Sequence, residues 1–232
     1  MWSYYGSKSK LVQYYPKPKC DLIIEPFAGS AKYSLKYFEK DVLLVDKYEK
    51  LVRIWKWLQQ CSIIDIKKLP SLKLGQTINR DMFDCDEQFW LMGFIVQNGV
   101  NSPRKTVSKF VANGNIETKK KNIYENLFKI KHWEIKQGTY QDIQNKKATW
   151  FIDPPYQYGG EYYIESNKKI DFKYLGEWCK NRNGQVIVCE NTKANWLPFN
   201  PMVEFQGSMH KTTEAIWCNE LTSYDFKQTE LF

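Results

Sequence analysis

Residues 148–156 read ATWFIDPPY, and the fold turns on how that stretch is read. ATWFI is a short run without polar alternation, the pattern of a strand covered on both faces. Asp153 closes it. Pro154 and Pro155 then end the pairing, because each fixes φ and lacks an N–H. A doubly covered strand belongs to a parallel sheet, and open parallel sheets take ligands at their carboxyl edge. Asp153, Pro154 and Tyr156 therefore set a carboxylate, a rigid carbonyl and an aromatic ring at that edge. The Asp153 carboxylate and the Pro154 carbonyl can together accept both hydrogens of an exocyclic amine. Tyr156 can stack on the ring that carries it.

Working outward, residues 21–27 (DLIIEPF), 41–46 (DVLLVD) and 185–190 (QVIVCE) repeat the pattern, and 214–218 (EAIWC) is a shorter candidate. Helical spacing lies between these runs. Residues 30–40 carry Tyr33, Leu35, Tyr37 and Phe38; 48–60 carry Leu51, Ile54, Trp55 and Leu58. Residues 171–181 carry Phe172, Leu175 and Cys179 and stop before Gly184, a plausible helix terminator. Strand and helix in alternation predict an α/β fold, a doubly wound and mostly parallel sheet. The alternation fails between residues 62 and 132, where a helix over 86–97 is followed by a polar stretch rich in Asn, Gly, Ser and Lys. The expected division is a catalytic domain from residues 1–61 and 132–232, with 62–131 an inserted, mainly helical lobe.

Charge is unevenly spread. The chain of 232 residues carries a formal +8, and residues 101–136 hold nine Lys and Arg against three Glu. Lys8, Lys10, Lys17 and Lys19 lie in the first nineteen residues without an acid. Such segments attract a polyanion or simply form a solvated surface. Lys119-Lys120-Lys121 is open to the same two readings, a grip on phosphates or a solvated helix start. Six Cys form no C-x-x-C pair, and only His132 and His210 could join them, so no metal site is expected. The sequence shows neither a signal peptide nor an apolar run long enough to span a membrane, so a cytoplasmic protein with reduced thiols is expected.

A second strand end bears on ligands. Glu25-Pro26-Phe27-Ala28-Gly29-Ser30 joins strand to helix through small residues, which lets a ligand approach the backbone. Asp46 ends the next strand, seventeen residues after Gly29. An acid there is placed for ribose hydroxyls. It is equally placed to cap the helix that follows.

The order of these segments resembles the Dam-type DNA adenine-N6 methyltransferases. Tyr4-Tyr5-Gly6-Ser7-Lys8 resembles that family's N-terminal cofactor motif, Glu25 to Ser30 its glycine motif, and Asp153 to Tyr156 its catalytic tetrapeptide. Val188-Cys189-Glu190-Asn191 and residues 211–219 resemble its later strands. The resemblance implies a seven-stranded methyltransferase sheet with an antiparallel final strand, and S-adenosylmethionine as cofactor. It implies that Tyr4, Lys8, Phe27, Gly29, Asp46 and Asp153 contact the cofactor. Asp153, Pro154 and Tyr156 would serve the target amine, and double-stranded DNA would be the partner, its adenine flipped into the site. Asn101 and Arg104 would read base edges from the inserted lobe. Other acceptors stay open: adenine in RNA, cytosine N4, or none, in an inactive DNA-binding relic.

There are departures from the family pattern. Ala31 stands where a second glycine is usual, which requires a negative φ at that residue. The family's acid near the cofactor adenine has no match in Gly138-Thr139-Tyr140, and Asp142 is shifted onward. Asn98-Gly99 resembles a pair in the family's DNA-reading lobe, but the residues after it diverge.

Overall fold

Seven strands form one sheet in the computed structural model, which describes residues 1–109, 111, 115–206 and 211–220. His210 lies outside the described residues, as do 110 and 112–114 of the polar stretch. The strands are β1 (Leu22–Glu25), β2 (Asp41–Asp46), β3 (Glu134–Gln137), β4 (Ala148–Ile152), β5 (Gly184–Asn191), β6 (Asn200–Gln206) and β7 (Lys211–Cys218). Their order is β3-β2-β1-β4-β5-β7-β6. The first five run parallel, while β7 is antiparallel to both β5 and β6. The expected α/β architecture is therefore present, with β4 at the centre.

Period-2 alternation along the strands builds two cores. Ile23, Phe151 and Ile187 face one side; Ile24, Trp150, Ile152, Val186 and Val188 face the other. Helix α1 (Lys32–Lys36) and α2 (Glu49–Gln60) cover the first side with Tyr33, Leu51, Ile54 and Trp55. The Tyr33 ring lies flat on Phe151 at 4.2 Å. On the second side α6 (Phe172–Lys180) packs Leu175, Trp178 and Cys179, and the Asp171 side chain caps it through the Tyr174 N–H. Burying each such large side chain contributes about 1.5–3 kcal/mol.

Between β2 and β3 the chain adds α3 (Ile63–Lys68), α4 (Asp86–Ile95) and α5 (Asn115–Tyr124). Helix α4 packs on α2, and α5 on α3. A capping box between Ser62 and Asp65 starts α3. Two of the three lysines in the run on α5 are taken up by the protein itself. Lys119 Nζ donates to the Ile95 and Gln97 carbonyls at 2.7 and 3.3 Å, closing the C-terminus of α4 with a cation. Lys120, only 3% exposed, donates to the Leu69 carbonyl at 2.6 Å and to Glu117 at 3.0 Å. Lys121 alone of the three is exposed, 3.7 Å from Glu125.

One sequence expectation is corrected, and two strands are added to those read from apolar runs. The helix read over residues 30–40 shrinks to α1, because Gly29 and Ala31 both hold positive φ and no α-helix can begin before residue 32. β3 and β6 carry no apolar run, although the family resemblance implies seven strands. Both are edge strands: β3 buries only Ile135, and β6 contains Pro201 and pairs with β7 alone. An edge strand needs little apolar sequence, so it leaves little signal.

Candidate active site

The carboxyl ends of β1, β2 and β4 converge on a cavity of about 260 Å³. Tyr4, Lys8, Phe27, Gly29, Asp46 and Asp153 all line it, so the residues singled out for cofactor contact come together. Pro154 and Tyr156 are not among its lining residues; Pro154 is buried and Tyr156 half-buried beside it.

One wall is the turn after β1. Gly29 has φ 47°, and a Cβ there would come within 3.3 Å of the Tyr4 ring. The Gly29 carbonyl accepts from the buried Trp55 indole at 3.0 Å. Ala31 sits at φ 46°, ψ 46°, not the negative φ expected. It is the only non-glycine residue at positive φ among the described residues, at a cost of about 1–2 kcal/mol. Bonds from the Ala31 N–H to Ala28 and from the Leu35 N–H to Ala31 hold it there. Glu25 accepts from the Ser34 N–H at 2.8 Å, and burial pushes its carboxyl up to about 8.

Asp46 closes the next strand. One carboxylate oxygen accepts from the Gly29 N–H at 2.9 Å and the other from the Tyr48 N–H at 2.8 Å. The N-cap of α2 is Tyr48, so Asp46 anchors the cap residue rather than being it. Burial raises its pKa to about 6 against these two donors.

Lys8 and Asp153 form the floor. Lys8 Nζ lies 3.1 Å from Asp153 and 3.4 Å from Glu214, and it donates to the Tyr156 hydroxyl. The Lys8 side chain is 9% exposed and that of Asp153 20%. Burial alone would lower the Lys8 pKa, but Asp153 and Glu214 outweigh it and hold the ammonium above its ordinary range. Asp153 is pushed up to about 6 by burial, with Lys8 opposing and Glu214 reinforcing. The Tyr156 hydroxyl donates to Glu214 at 2.6 Å, so the ring is anchored at its far end.

Other walls carry residues that sequence reasoning missed. Tyr140 packs on Phe27 at 5.6 Å, with the rings 29° from parallel. Asp142 does not line the cavity: its carboxylate accepts from the Thr139 N–H and hydroxyl at 2.7 and 2.8 Å. From the segment after the tetrapeptide, Tyr163 packs on Tyr5 at 4.9 Å. Glu165 in the same segment pairs with Lys47 at 2.9 Å. Nothing in their local sequence marks them, since a polar loop with two tyrosines has no periodicity. Glu190, quoted within a later strand motif, accepts from the Gln157 N–H at 2.6 Å and so fixes the chain leaving the tetrapeptide. Asn101 donates to the Tyr162 carbonyl and accepts from Arg104, which joins the 62–131 segment to the same loop.

Among the described residues no group of His, Cys, Asp and Glu could hold a metal ion, and no helix is long and apolar enough to cross a membrane. None of the six cysteines forms a disulfide.

A family model described as D12 class N6 adenine-specific DNA methyltransferase matches residues 4–183. No curated protein matches the sequence. Similarity to solved structures is distant. A conserved hypothetical protein of Streptococcus pyogenes is 13% identical, with a TM-score of 0.34 and 84% of each chain covered. An rRNA methyltransferase of Streptomyces viridochromogenes is 9% identical, with a TM-score of 0.40 over 85% of this chain and 76% of that one. The family match spans well over half of the sequence and takes in the tetrapeptide, the glycine turn, Asp46 and the segment that carries Tyr4 and Lys8. The chain belongs to the family of D12 class N6 adenine-specific DNA methyltransferases.

Proposed function

We propose that the protein transfers a methyl group from S-adenosylmethionine to the N6 amine of adenine in double-stranded DNA. The observation that carries this reading is the convergence of Asp153 on one cavity with the Gly29 turn and Asp46. The donor set fits the cofactor. Both Asp46 oxygens are fixed by backbone N–H groups and keep lone pairs for a ribose diol. Phe27 and Tyr140 offer a flat apolar wall. Tyr4, Lys8, Phe27, Gly29, Asp46 and Asp153 would hold the cofactor, Lys8 with its ammonium committed to the two acids. Bound there, S-adenosylmethionine supplies an electrophilic methyl group.

The chain's own residues do the rest. An adenine within a duplex must leave the stack to reach the cavity, at a cost of a few kcal/mol. Asp153 and the Pro154 carbonyl accept the hydrogens of its amine, which frees the nitrogen lone pair. Tyr156 borders the base, with its hydroxyl fixed on Glu214. Positioning of this kind supplies about 7–11 kcal/mol of a bimolecular barrier. Residues 62–131 act as the recognition lobe between catalytic segments 1–61 and 132–232. Exposed Arg104 and Lys105 are its candidates for phosphate and base-edge contacts. The protein works in the cytoplasm, where DNA and cofactor meet.

The test offers duplex DNA, single-stranded DNA and RNA as acceptors of labelled methyl, followed by mass spectrometry of the nucleosides. N6-methyladenine in duplex DNA, absent with Asp153→Ala, is the expected result. Labelled RNA alone, or N4-methylcytosine, would overturn the substrate assignment. Cofactor binding without transfer to any acceptor would mark an inactive relic.

A further inference from the structure

Beneath the tetrapeptide lies a buried cluster that the cofactor and amine contacts do not account for. Glu214, on β7, is 3% exposed and lies outside the residues matched by the family model. A single oxygen, Oε1, accepts from the Tyr156 hydroxyl at 2.6 Å and the Tyr15 hydroxyl at 2.7 Å, and lies 3.4 Å from Lys8 Nζ. Tyr15 is also 3% exposed, and its ring packs edge-on against Phe151 in the strand that ends at Asp153. Three separated pieces of chain, the N-terminal segment, the tetrapeptide and the last strand, thus meet on one carboxylate.

We propose that Glu214 is a positioning residue for methyl transfer: it orients Tyr156 and draws part of the Lys8 ammonium away from Asp153, leaving Asp153 free to accept the target amine. The physical argument is competition. An ammonium given wholly to Asp153 would occupy the acceptor lone pairs that the amine needs. With Lys8 shared between carboxylates at 3.1 and 3.4 Å, neither is fully neutralised. The two tyrosine hydroxyls are donors to Glu214, so the Tyr156 ring is pinned at its hydroxyl as well as by the prolines before it. The raised pKa of Asp153, about 6, agrees: burial is the main cause, Lys8 opposes it, and Glu214 adds to it. The titratable groups around Asp153 and Glu214 are Lys8, Tyr15, Glu25, Tyr156, Tyr163, Cys189 and Glu190. Among them Lys8 is the one cation.

This inference rests on the methyltransferase reading for its rate effects, but its electrostatic part is testable without turnover. Glu214→Ala removes both the charge and the tyrosine acceptor. It should lower kcat by about 100-fold, the loss that a displacement near 1 Å causes, with cofactor affinity within twofold. Glu214→Gln keeps a carbonyl for both hydroxyls and loses only the charge. It should restore only part of kcat, because Tyr156 stays oriented but Lys8 now falls more fully to Asp153, and the acid limb of the rate profile should move to lower pH, since Asp153 has lost a like-charged neighbour. The same shift is read directly by ¹³C NMR of the aspartate carboxyls, with Asp153→Asn for assignment. A lower Asp153 midpoint in Glu214→Gln supports the proposal even if wild-type protein fails to methylate adenine. An unchanged midpoint, or unchanged kcat per folded molecule in Glu214→Ala, overturns it.

Discussion

Replacing Lys8 by Met removes the cation that holds the floor of the cavity together, and the structure sets the size of the effect. The ammonium lies 3.1 Å from Asp153 and 3.4 Å from Glu214, and its side chain is 9% exposed. Met fills most of the Lys8 volume, so the change is chiefly electrostatic. Removing one partner of a buried ion pair costs about 3–5 kcal/mol, because the remaining charge loses its counter-ion where little water reaches it. For a chain of this size each kcal/mol moves Tm by about 2–4 °C, so a fall of about 6–20 °C at pH 8 is expected. The loss should depend on pH. Asp153 already binds its proton more tightly in the folded state than when unfolded, with pKa about 6 against an ordinary 3.8. Folded stability therefore declines as pH rises through that window. Without Lys8 the window extends upward, because Asp153 loses the cation that opposes its rise. The gap between variant and wild type should be smallest near pH 5, where Asp153 holds its proton, and widest at pH 8. Urea denaturation followed by circular dichroism at both values measures it. A gap under 1 kcal/mol at pH 8, or one that does not change with pH, would refute the assignment of Lys8 as the counter-ion of Asp153 and Glu214. The double variant with Glu214→Gln should recover part of the loss, since one uncompensated charge is gone.

Further expectations rest on single residues. Asp153 and Asp46 both have pKa values near 6 and act as acceptors when ionised, so kcat/KM should fall as pH drops through about 6. A rate profile flat down to pH 4.5 would count against both roles. Asp46→Asn can accept from only one of the Gly29 and Tyr48 N–H groups. It should lose about 1–3 kcal/mol of stability and bind S-adenosylmethionine more weakly, as read by denaturation and calorimetry. Lys120→Ala strips the Leu69 carbonyl of its partner and should destabilise the α3–α5 packing by about 1–3 kcal/mol. It should leave the salt dependence of DNA binding unchanged, whereas a flattened salt slope would return Lys120 to the phosphate contacts. At Gly6 φ is +72° and a Cβ would overlap the Tyr163 hydroxyl. Gly6→Ala should therefore cost more than the left-handed penalty of about 1–2 kcal/mol, and adding Tyr163→Phe should return part of it in thermal melts.

The sequence by itself determined five of the seven strands and the strand ends on which the candidate site sits. Residues 41–46 are a strand to the residue, and 148–153 a strand to within one, because strands buried on both faces are short, continuously apolar and closed by turn residues. Asp46, Gly29 and Asp153 were legible for a related reason: a strand end is fixed by the strand before it, so a local motif carries its own position in space. The edge strands β3 and β6 were not legible, since one covered face and one pairing partner demand little of the sequence. Nor was the backbone of Ala31, whose positive φ is imposed by the packing of the turn against its local preference. The tertiary structure alone decided what the charges do. Lys119 and Lys120 look like a solvated basic run until the ends of α4 and of the α3 segment are brought against them. Lys8, Tyr15, Tyr156 and Glu214 lie up to 206 residues apart, and no local pattern records that they share one oxygen's surroundings. Burial gives each of those polar groups a cost that only its partners relieve, and partners so distant in sequence are chosen by the fold.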